Sequence, residues 1–189
     1  MNIGLNINDK TETSFDKITT VCKEVWISKL ADYGMTWCSY RLMTVVDHIL
    51  IKALRIKTLE ENGGNALVEE GQDTEFVGII NYSIIALILF YHAKEFNAEC
   101  DTDKLKELCQ KYYNEITAEI RRLLTIKNHD YGEALRVMEK TSFTDIIIAR
   151  VQRMKSIIKN DFDVNSENVD AQLMDIVNYA VFALIKLTE

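Results

Sequence analysis

The sequence predicts an all-α protein, a helical bundle built from two tandem three-helix repeats with pseudo-twofold symmetry. The first observation behind this prediction is the scarcity of helix breakers, because the 189 residues include no proline and only seven glycines. Such a composition disfavours a turn-rich all-β fold. The second observation is an internal repeat, and the third is a pair of segments that form helices with apolar residues on nearly every face.

The repeat consists of short matching segments that lie 98 residues apart. Asp32-Tyr33-Gly34 returns as Asp130-Tyr131-Gly132. Further pairs at this spacing are Lys29/Lys127, Asp47/Asp145, Lys52/Arg150, Arg55/Arg153 and Lys57/Lys155. After a one-residue gap the spacing is 97, with the pairs Glu70/Glu167, Asp73/Asp170, Asn81/Asn178 and Tyr82/Tyr179. The chain is therefore divided into copy one (11–92) and copy two (102–189), which together form one compact globular domain.

Each copy is predicted to begin with an amphipathic helix, which a second helix follows. The first has apolar residues at helical spacing and ends at the Asp-Tyr-Gly turn, where glycine suits a helix C-terminus. The second is predicted to begin with a capping box, Thr44-x-x-Asp47 in copy one and Ser142-x-x-Asp145 in copy two. It ends at Gly63-Gly64 in copy one and at the turn over 160–165 in copy two.

The third helix of each copy, over 76–90 and 173–187, is apolar nearly all round and belongs in the centre of a core. One three-helix unit cannot cover such a helix. Two units packed face to face would bury both third helices, which predicts the pseudo-twofold bundle.

Composition excludes several classes of function. A net charge of −7 argues against a protein that binds duplex nucleic acid, because phosphate contacts need a basic surface. The N-terminus lacks the pattern of a secretory signal, and the longest apolar stretch, Ile79–Tyr91, is shorter than the roughly 20 residues that span a bilayer. The four cysteines have no metal-binding spacing. A cytoplasmic protein with free thiols and no membrane partner is expected.

Polar residues inside the third helix of copy two indicate a site. Asp175 and Asn178 interrupt an apolar run, and a buried carboxylate is costly unless it is paired or holds a cation. At about 100° per residue, Glu167 lies within roughly 80° of both. Bases are supplied by Lys127, Arg150 and Arg153. This combination predicts a site for Mg²⁺ and a phosphate chain.

Copy one retains Lys52, Arg55 and Asn81 but has Gly78 at the position of Asp175. The two copies are therefore predicted to differ, with most of the metal chemistry in copy two. Glu75 is an additional acid, but it points away from the face that carries Asn81.

Each polar group also has a structural interpretation. The acids of the first helical turns are favoured by the helix dipole, and the bases could form a solvated face with ion pairs. The two asparagines could bond each other across the pseudo-twofold axis, as a core asparagine does in coiled coils. Asp47 and Asp145 fit structural caps.

These residues resemble a known family. The segment 127–132, then Asp145, Arg153 and Glu167, and finally 175–179, are similar to the bacterial and phage family called nucleotide modification associated domain 1. More distantly, the motifs are similar to those of the all-α nucleoside triphosphate pyrophosphatases, the MazG-like proteins and dimeric dUTPases. In those enzymes, acid pairs on bundle helices hold Mg²⁺ while water attacks the phosphate chain.

The resemblance implies an Mg²⁺-dependent pyrophosphohydrolase acting on small nucleotides. The predicted metal ligands are Glu167, Asp170 and Asp175, and the predicted catalytic residues are Glu167, Asp175 and Asn178. The predicted substrate-binding residues are Lys127, Asp130, Tyr131, Arg150, Arg153, Lys52, Arg55 and Asn81. Two alternatives remain open: a nucleotide- or modified-base-binding module without turnover, and a structural or partner-binding helical protein. Duplication allows a monomer or a homodimer.

Overall fold

A computed structural model describes residues 11–34, 36–64, 71–96, 102–131, 134–159 and 169–188. Within these ranges it does not describe the side chains of residues 31–33, 102, 131 and 134. The regular elements are the α-helices α1 (Thr11–Tyr33), α2 (Leu42–Glu61), α3 (Gln72–His92), α4 (Thr102–Tyr131), α5 (Lys140–Lys159) and α6 (Val169–Thr188). Short 3₁₀ turns cover Thr36–Ser39, Ala93–Glu95 and Ala134–Val137. The prediction of an all-α fold is confirmed.

Equivalent helices of the two copies pack against each other. The pairs in contact are α3 with α6, α2 with α5, and α1 with α4. Between α2 and α5, Lys57 binds Asp145 at 2.9 Å, and Lys155 binds Asp47 in return. Because each residue of one pair lies 98 positions from its counterpart in the other, the two ion pairs exchange under a pseudo-twofold rotation.

The α1–α4 contact obeys the same symmetry. The Lys23 ammonium donates to the Asn114 side chain at 2.8 Å, and the Arg121 guanidinium donates to Asp16 at 2.7 Å. These residues also exchange at a spacing of 98. Independent polar contacts on two helix pairs therefore support the face-to-face arrangement predicted from the repeat.

Helices α3 and α6 form the buried centre of the bundle. Fully buried side chains such as Ile80, Ile84, Val177 and Leu184 lie on them. By length and composition, both helices are long and apolar enough to cross a membrane. The shortness of the apolar run in the sequence therefore does not decide whether they span one. Each nevertheless packs against the other and against α2 or α5, as core helices of a bundle do.

Glycines end the helices of copy one as predicted. Gly34 has a φ of +64° and its amide donates to the Leu30 carbonyl at 3.0 Å, which caps α1. Gly63 and Gly64 also have positive φ, and the Gly64 amide bonds the Leu59 carbonyl at 2.7 Å. The equivalent turns of copy two, at Gly132 and 160–165, lie outside the described residues.

The predicted capping boxes are wrong. Helix α2 begins at Leu42 behind the extended residue Arg41, which makes no side-chain cap, and α5 begins at Lys140. Thr44 and Ser142 therefore lie inside the first turns, where no proline or glycine stops the helix from extending further toward its N-terminus. Asp47 and Asp145 do not cap their helices but bind lysines of the other copy.

The described cysteines Cys22, Cys38 and Cys109 are thiols rather than halves of disulfides, as predicted. Burial raises the pKa of the Cys38 thiol to about 11 and that of the Cys109 thiol to about 12. Both thiols are therefore protonated and unreactive near neutral pH.

Candidate functional site

A cavity of about 610 Å³ lies in copy one, between the C-terminal half of α1, the turn Thr36–Ser39, α2 and α3. Two kinds of side chain line it. One wall is aromatic and consists of Trp26, Trp37, Tyr40 and Tyr82, and the polar groups are Lys29, Lys52, Asp73 and Asn81. The cavity combines flat ring surfaces with positive charge.

The aromatic wall is held by stacking against neighbouring rings. Trp26 stacks on Tyr113 with 4.9 Å between ring centroids, and Trp37 lies 6.2 Å from Trp26. On the other side, Tyr82 stacks on His48 at 4.7 Å with nearly parallel planes. These packed rings form rigid surfaces, and the chain has no tryptophans besides these two.

Gly78 allows α2 and α3 to approach closely beside the cavity. A Cβ at this position would lie 2.6 Å from the Cε atom of Lys52, so the lysine stem crosses α3 where the glycine lacks a side chain. Glycine inside a helix costs about 1 kcal/mol relative to alanine, and close contact of this kind explains its presence.

Glu75 is the acid that fixes the bases of copy one. It is only 3% exposed, its carboxylate lies 3.1 Å from the Lys52 ammonium, and it also binds the Arg55 guanidinium. Glu75 thus contacts α2, whereas Asn81 contacts α1 and α4, and this role of Glu75 was not predicted from the sequence. The spacing of Lys52 and Arg55 could have indicated this role, because bases three residues apart on one helix can bind a single acid on a neighbouring helix.

Asn81 ties α3 to both first helices. Its amide nitrogen donates to the Cys22 carbonyl at 2.9 Å, and its carbonyl oxygen accepts from the Tyr113 hydroxyl at 3.0 Å. Burial raises the pKa of Tyr113, so the hydroxyl keeps its proton. The alternative in which Asn81 bonds Asn178 is wrong.

Asn178 is buried at the equivalent position without such a partner. Its carbonyl oxygen has no hydrogen-bond partner among the described residues. The counterpart of Tyr113 in copy one is Phe15, which has no hydroxyl. The matched asparagines are therefore not equivalent in bonding.

In copy two Asp175 stands at the helix position that corresponds to Gly78 and carries a carboxylate there. The Lys127 ammonium and the Arg150 guanidinium both donate to it, the second at 3.1 Å. Arg150 also donates to Gln172, the counterpart of Glu75, at 2.6 Å. The acid that serves the bases has thus moved by one helical turn between the copies.

Two other predicted residues of copy two, Asp170 and Asp130, make contacts outside this cluster. Asp170 accepts a hydrogen bond from the Tyr91 hydroxyl at 2.6 Å and so contacts α3. Arg153 and Asp130 are exposed, and Asp130 lies 3.2 Å from the ring of its neighbour His129. The side chain of Tyr131 and the whole of Glu167 lie outside the described residues.

The described residues do not fit a magnesium site. Within them, no three Asp, Glu, His or Cys side chains gather in a way that could hold a metal ion. Asp170 and Asp175 contact different helices, and bases bind both oxygens of Asp175. The predicted role of Mg²⁺ therefore depends on Glu167 and stays a prediction.

Copy two keeps Tyr179 at the position of Tyr82 but lacks the other three rings of the aromatic wall. The residues 98 positions after Trp26, Trp37 and Tyr40 are Leu124, Leu135 and Met138. A depression of about 440 Å³ lies between copy two and Tyr91 of copy one, and its lining includes Glu115, Glu119 and Asp170. Glu115 and Glu119 correspond to Lys17 and Val21, which are not among the residues lining the cavity of copy one, so the two openings match only in part.

The fold and repeat define a class of all-α proteins made of two copies of one three-helix unit. The model of one family, nucleotide modification associated domain 1, matches residues 29–90 and again residues 127–187. The chain belongs to this family and contains two tandem copies of its domain. Searches of curated proteins and of solved structures found no match.

Proposed function

We propose that the chain binds a small nucleotide in the cavity of copy one, and that copy two serves as the structural half that completes the bundle. The observation that carries the proposal is the difference at Gly78. Copy one leaves a cavity beside two lysines, whereas copy two places the Asp175 carboxylate on the equivalent bases.

The lining of the cavity suits the parts of a nucleotide. Rings of Trp26, Trp37, Tyr40 and Tyr82 offer flat apolar surface to a base, and aromatic stacking accepts any base. Ammonium groups at Lys29 and Lys52 suit phosphate oxygens. The volume of about 610 Å³ falls in the range of about 300–1,000 Å³ typical of small-molecule sites.

The family description supports this proposal, since it refers to nucleotide modification. The sequence-based hypothesis of an Mg²⁺-dependent pyrophosphohydrolase remains the second candidate. It needs several acids around one ion. Asp73 is the acid that lines the cavity within the described residues. Binding without metal-dependent turnover is therefore the function we favour.

Tryptophan fluorescence tests the proposal directly, because the chain's two tryptophans both line the cavity. Purified full-length protein is titrated with the common nucleosides and their mono- and triphosphates, with EDTA and with Mg²⁺. We expect at least one nucleotide to change the emission saturably, with an affinity that survives EDTA. Pyrophosphate release is assayed in parallel, and none is expected.

A matched pair of variants locates the binding. Tyr40→Ala removes an aromatic ring from the cavity and should weaken nucleotide binding about tenfold, since base stacking on an aromatic side chain is worth about 1–3 kcal/mol. Met138→Ala truncates the equivalent position of copy two and should change the affinity less than about twofold. Absence of any emission change or thermal shift with every nucleotide would refute the proposal, and Mg²⁺-dependent pyrophosphate release would favour the hydrolase instead.

A further inference from the structure

We propose that the phosphate group of the nucleotide binds beside Gly78, between Lys29 and Lys52, in the position that the Asp175 carboxylate occupies in copy two. This inference rests on the proposed function and deepens it, because it assigns one anionic subsite inside the cavity. The molecule itself supplies the comparison, since the same backbone position carries an anion in one copy and a glycine in the other.

The bases that surround the proposed anion position are matched between the two copies. Lys127 and Arg150 converge on Asp175 from α4 and α5, and their counterparts Lys29 and Lys52 line one cavity from α1 and α2. The pseudo-twofold relation of the helices places the two sets alike. An anion that binds both bases in copy two therefore marks where an anion binds in copy one.

The compensating acid lies at a different helix position in the two copies. In copy one Glu75 lies one turn before Gly78 on α3 and binds Lys52 and Arg55, and the Lys52 side chain lies next to the glycine. Lys29 is exposed and makes no ion pair with a described side chain. Within the described residues, copy one thus keeps bases around Gly78, while position 78 itself supplies no carboxylate and Asp73 is the acid in the cavity lining.

The space beside Gly78 is bordered by a flexible side chain. The Lys52 stem, rather than backbone, is what a side chain at position 78 would meet, and a flexible stem moves at little cost. An arriving phosphate can therefore shift the lysine stem without moving the α3 backbone, and the Lys52 ammonium, which binds Glu75, then also meets the phosphate. Oxygen atoms on the phosphate would accept from both lysines, as the two oxygens of Asp175 accept from Lys127 and Arg150.

The first test introduces the copy-two anion into copy one. Gly78→Asp supplies a carboxylate where the phosphate is proposed to bind, and Gly78→Asn has nearly the same shape without the charge. For the nucleotide that binds best, we expect Gly78→Asp to weaken binding at least tenfold more than Gly78→Asn. The matching nucleoside should bind the wild-type protein at least tenfold more weakly than its 5′-monophosphate and should not distinguish the two variants.

The second test removes the anion from copy two. Asp175→Gly should create a second anion site, measured with inorganic pyrophosphate by calorimetry as a rise from one to two bound anions per chain. The tryptophan signal should report one of them, because both tryptophans lie in copy one.

Three outcomes overturn the inference while leaving the proposed function intact: equal loss with Gly78→Asp and Gly78→Asn, equal affinity for nucleoside and nucleotide, or one bound pyrophosphate in folded Asp175→Gly. If wild-type protein binds neither nucleosides nor nucleotides, the proposed function itself fails. Should Asp175→Gly not fold, the Gly78 pair and the nucleoside comparison decide the question without it.

Discussion

The two copies share one set of bases but place the neutralising acid differently. In copy one Glu75 is buried under Lys52 and Arg55, and a cavity opens beside Gly78. In copy two Asp175 lies one turn further along the helix and binds Lys127 and Arg150. A shift of one acid by three residues separates a copy with room for an anion from a copy that supplies its own.

This difference teaches how a duplicated domain can divide its tasks. Burying the two third helices requires both copies, so neither can be lost from the fold. The proposed binding requires one cavity, and the aromatic rings at Trp26, Trp37 and Tyr40 are present in copy one alone, where copy two has leucine or methionine. Under this proposal, copy two can satisfy its bases internally without loss of binding by the whole chain.

The largest expected effect comes from removing the two acids. Glu75→Gln should lower the free energy of unfolding by about 3 kcal/mol, since breaking a buried ion pair costs about 3–5 kcal/mol and both bases here keep some contact with water. Asp175→Asn should cost about 1 kcal/mol, because Asp175 is 20% exposed and Lys127 is 47% exposed. Urea denaturation of both variants measures the difference.

Equal losses for the two acid variants would mean that both copies hold their bases equally strongly, which would contradict the difference between Glu75 and Asp175. Glu75→Asp serves as a control for charge. It keeps the carboxylate but shortens its reach, so it should fall between the wild type and Glu75→Gln.

The matched asparagines give the next largest effect. Asn81→Leu should cost about 2 kcal/mol, because it removes two hydrogen bonds and leaves the Tyr113 hydroxyl buried without its acceptor. Asn178→Leu should be neutral or stabilising, since the carbonyl oxygen it removes has no partner within the described chain. Thermal and urea denaturation distinguish these outcomes.

A destabilising Asn178→Leu would show that this side chain has a partner or ligand in solution. Tyr113→Phe provides an independent check in copy one. It removes the hydroxyl alone and should cost about 1 kcal/mol, less than the loss of the whole Asn81 amide.

The fold could be predicted from the sequence because the repeat and the apolar third helices are patterns that extend over many residues. The end of α1 at Gly34 and of α2 at Gly63 followed from glycine chemistry at a single residue. Helix starts were less accessible, as the wrong capping boxes at Thr44 and Ser142 show. A side chain that fits a cap also fits a first turn, and burial of neighbouring residues decides between them.

The candidate site was only partly accessible from the sequence. Asp175, Lys127 and Arg150 were correctly expected to cluster, but the pattern could not reveal that the bases bind both carboxylate oxygens. Whether an acid faces a metal or a lysine depends on the register between two helices. Periodicity gives the face of one helix and says nothing about that register. The cavity beside Gly78 could not be predicted either, because the absence of a side chain carries no chemical signal in the sequence.

The smallest expected effect concerns the ion pairs that exchange across the pseudo-twofold axis. Asp47→Asn removes the partner of Lys155, which is 25% exposed, and should cost less than about 1 kcal/mol. Asp145→Asn removes the partner of Lys57, whose pKa is raised by the hydrogen bond to Asp145, and should cost less because both groups are more exposed. The double variant should show the sum of the two losses in urea denaturation, because the pairs share no residue.

Salt at about 1 M should screen the Asp145→Asn effect first, since exposed pairs are screened more than half-buried ones. A loss in the double variant well above the sum would mean that the two contacts act together to hold the copies face to face, and that the symmetry is itself a source of stability.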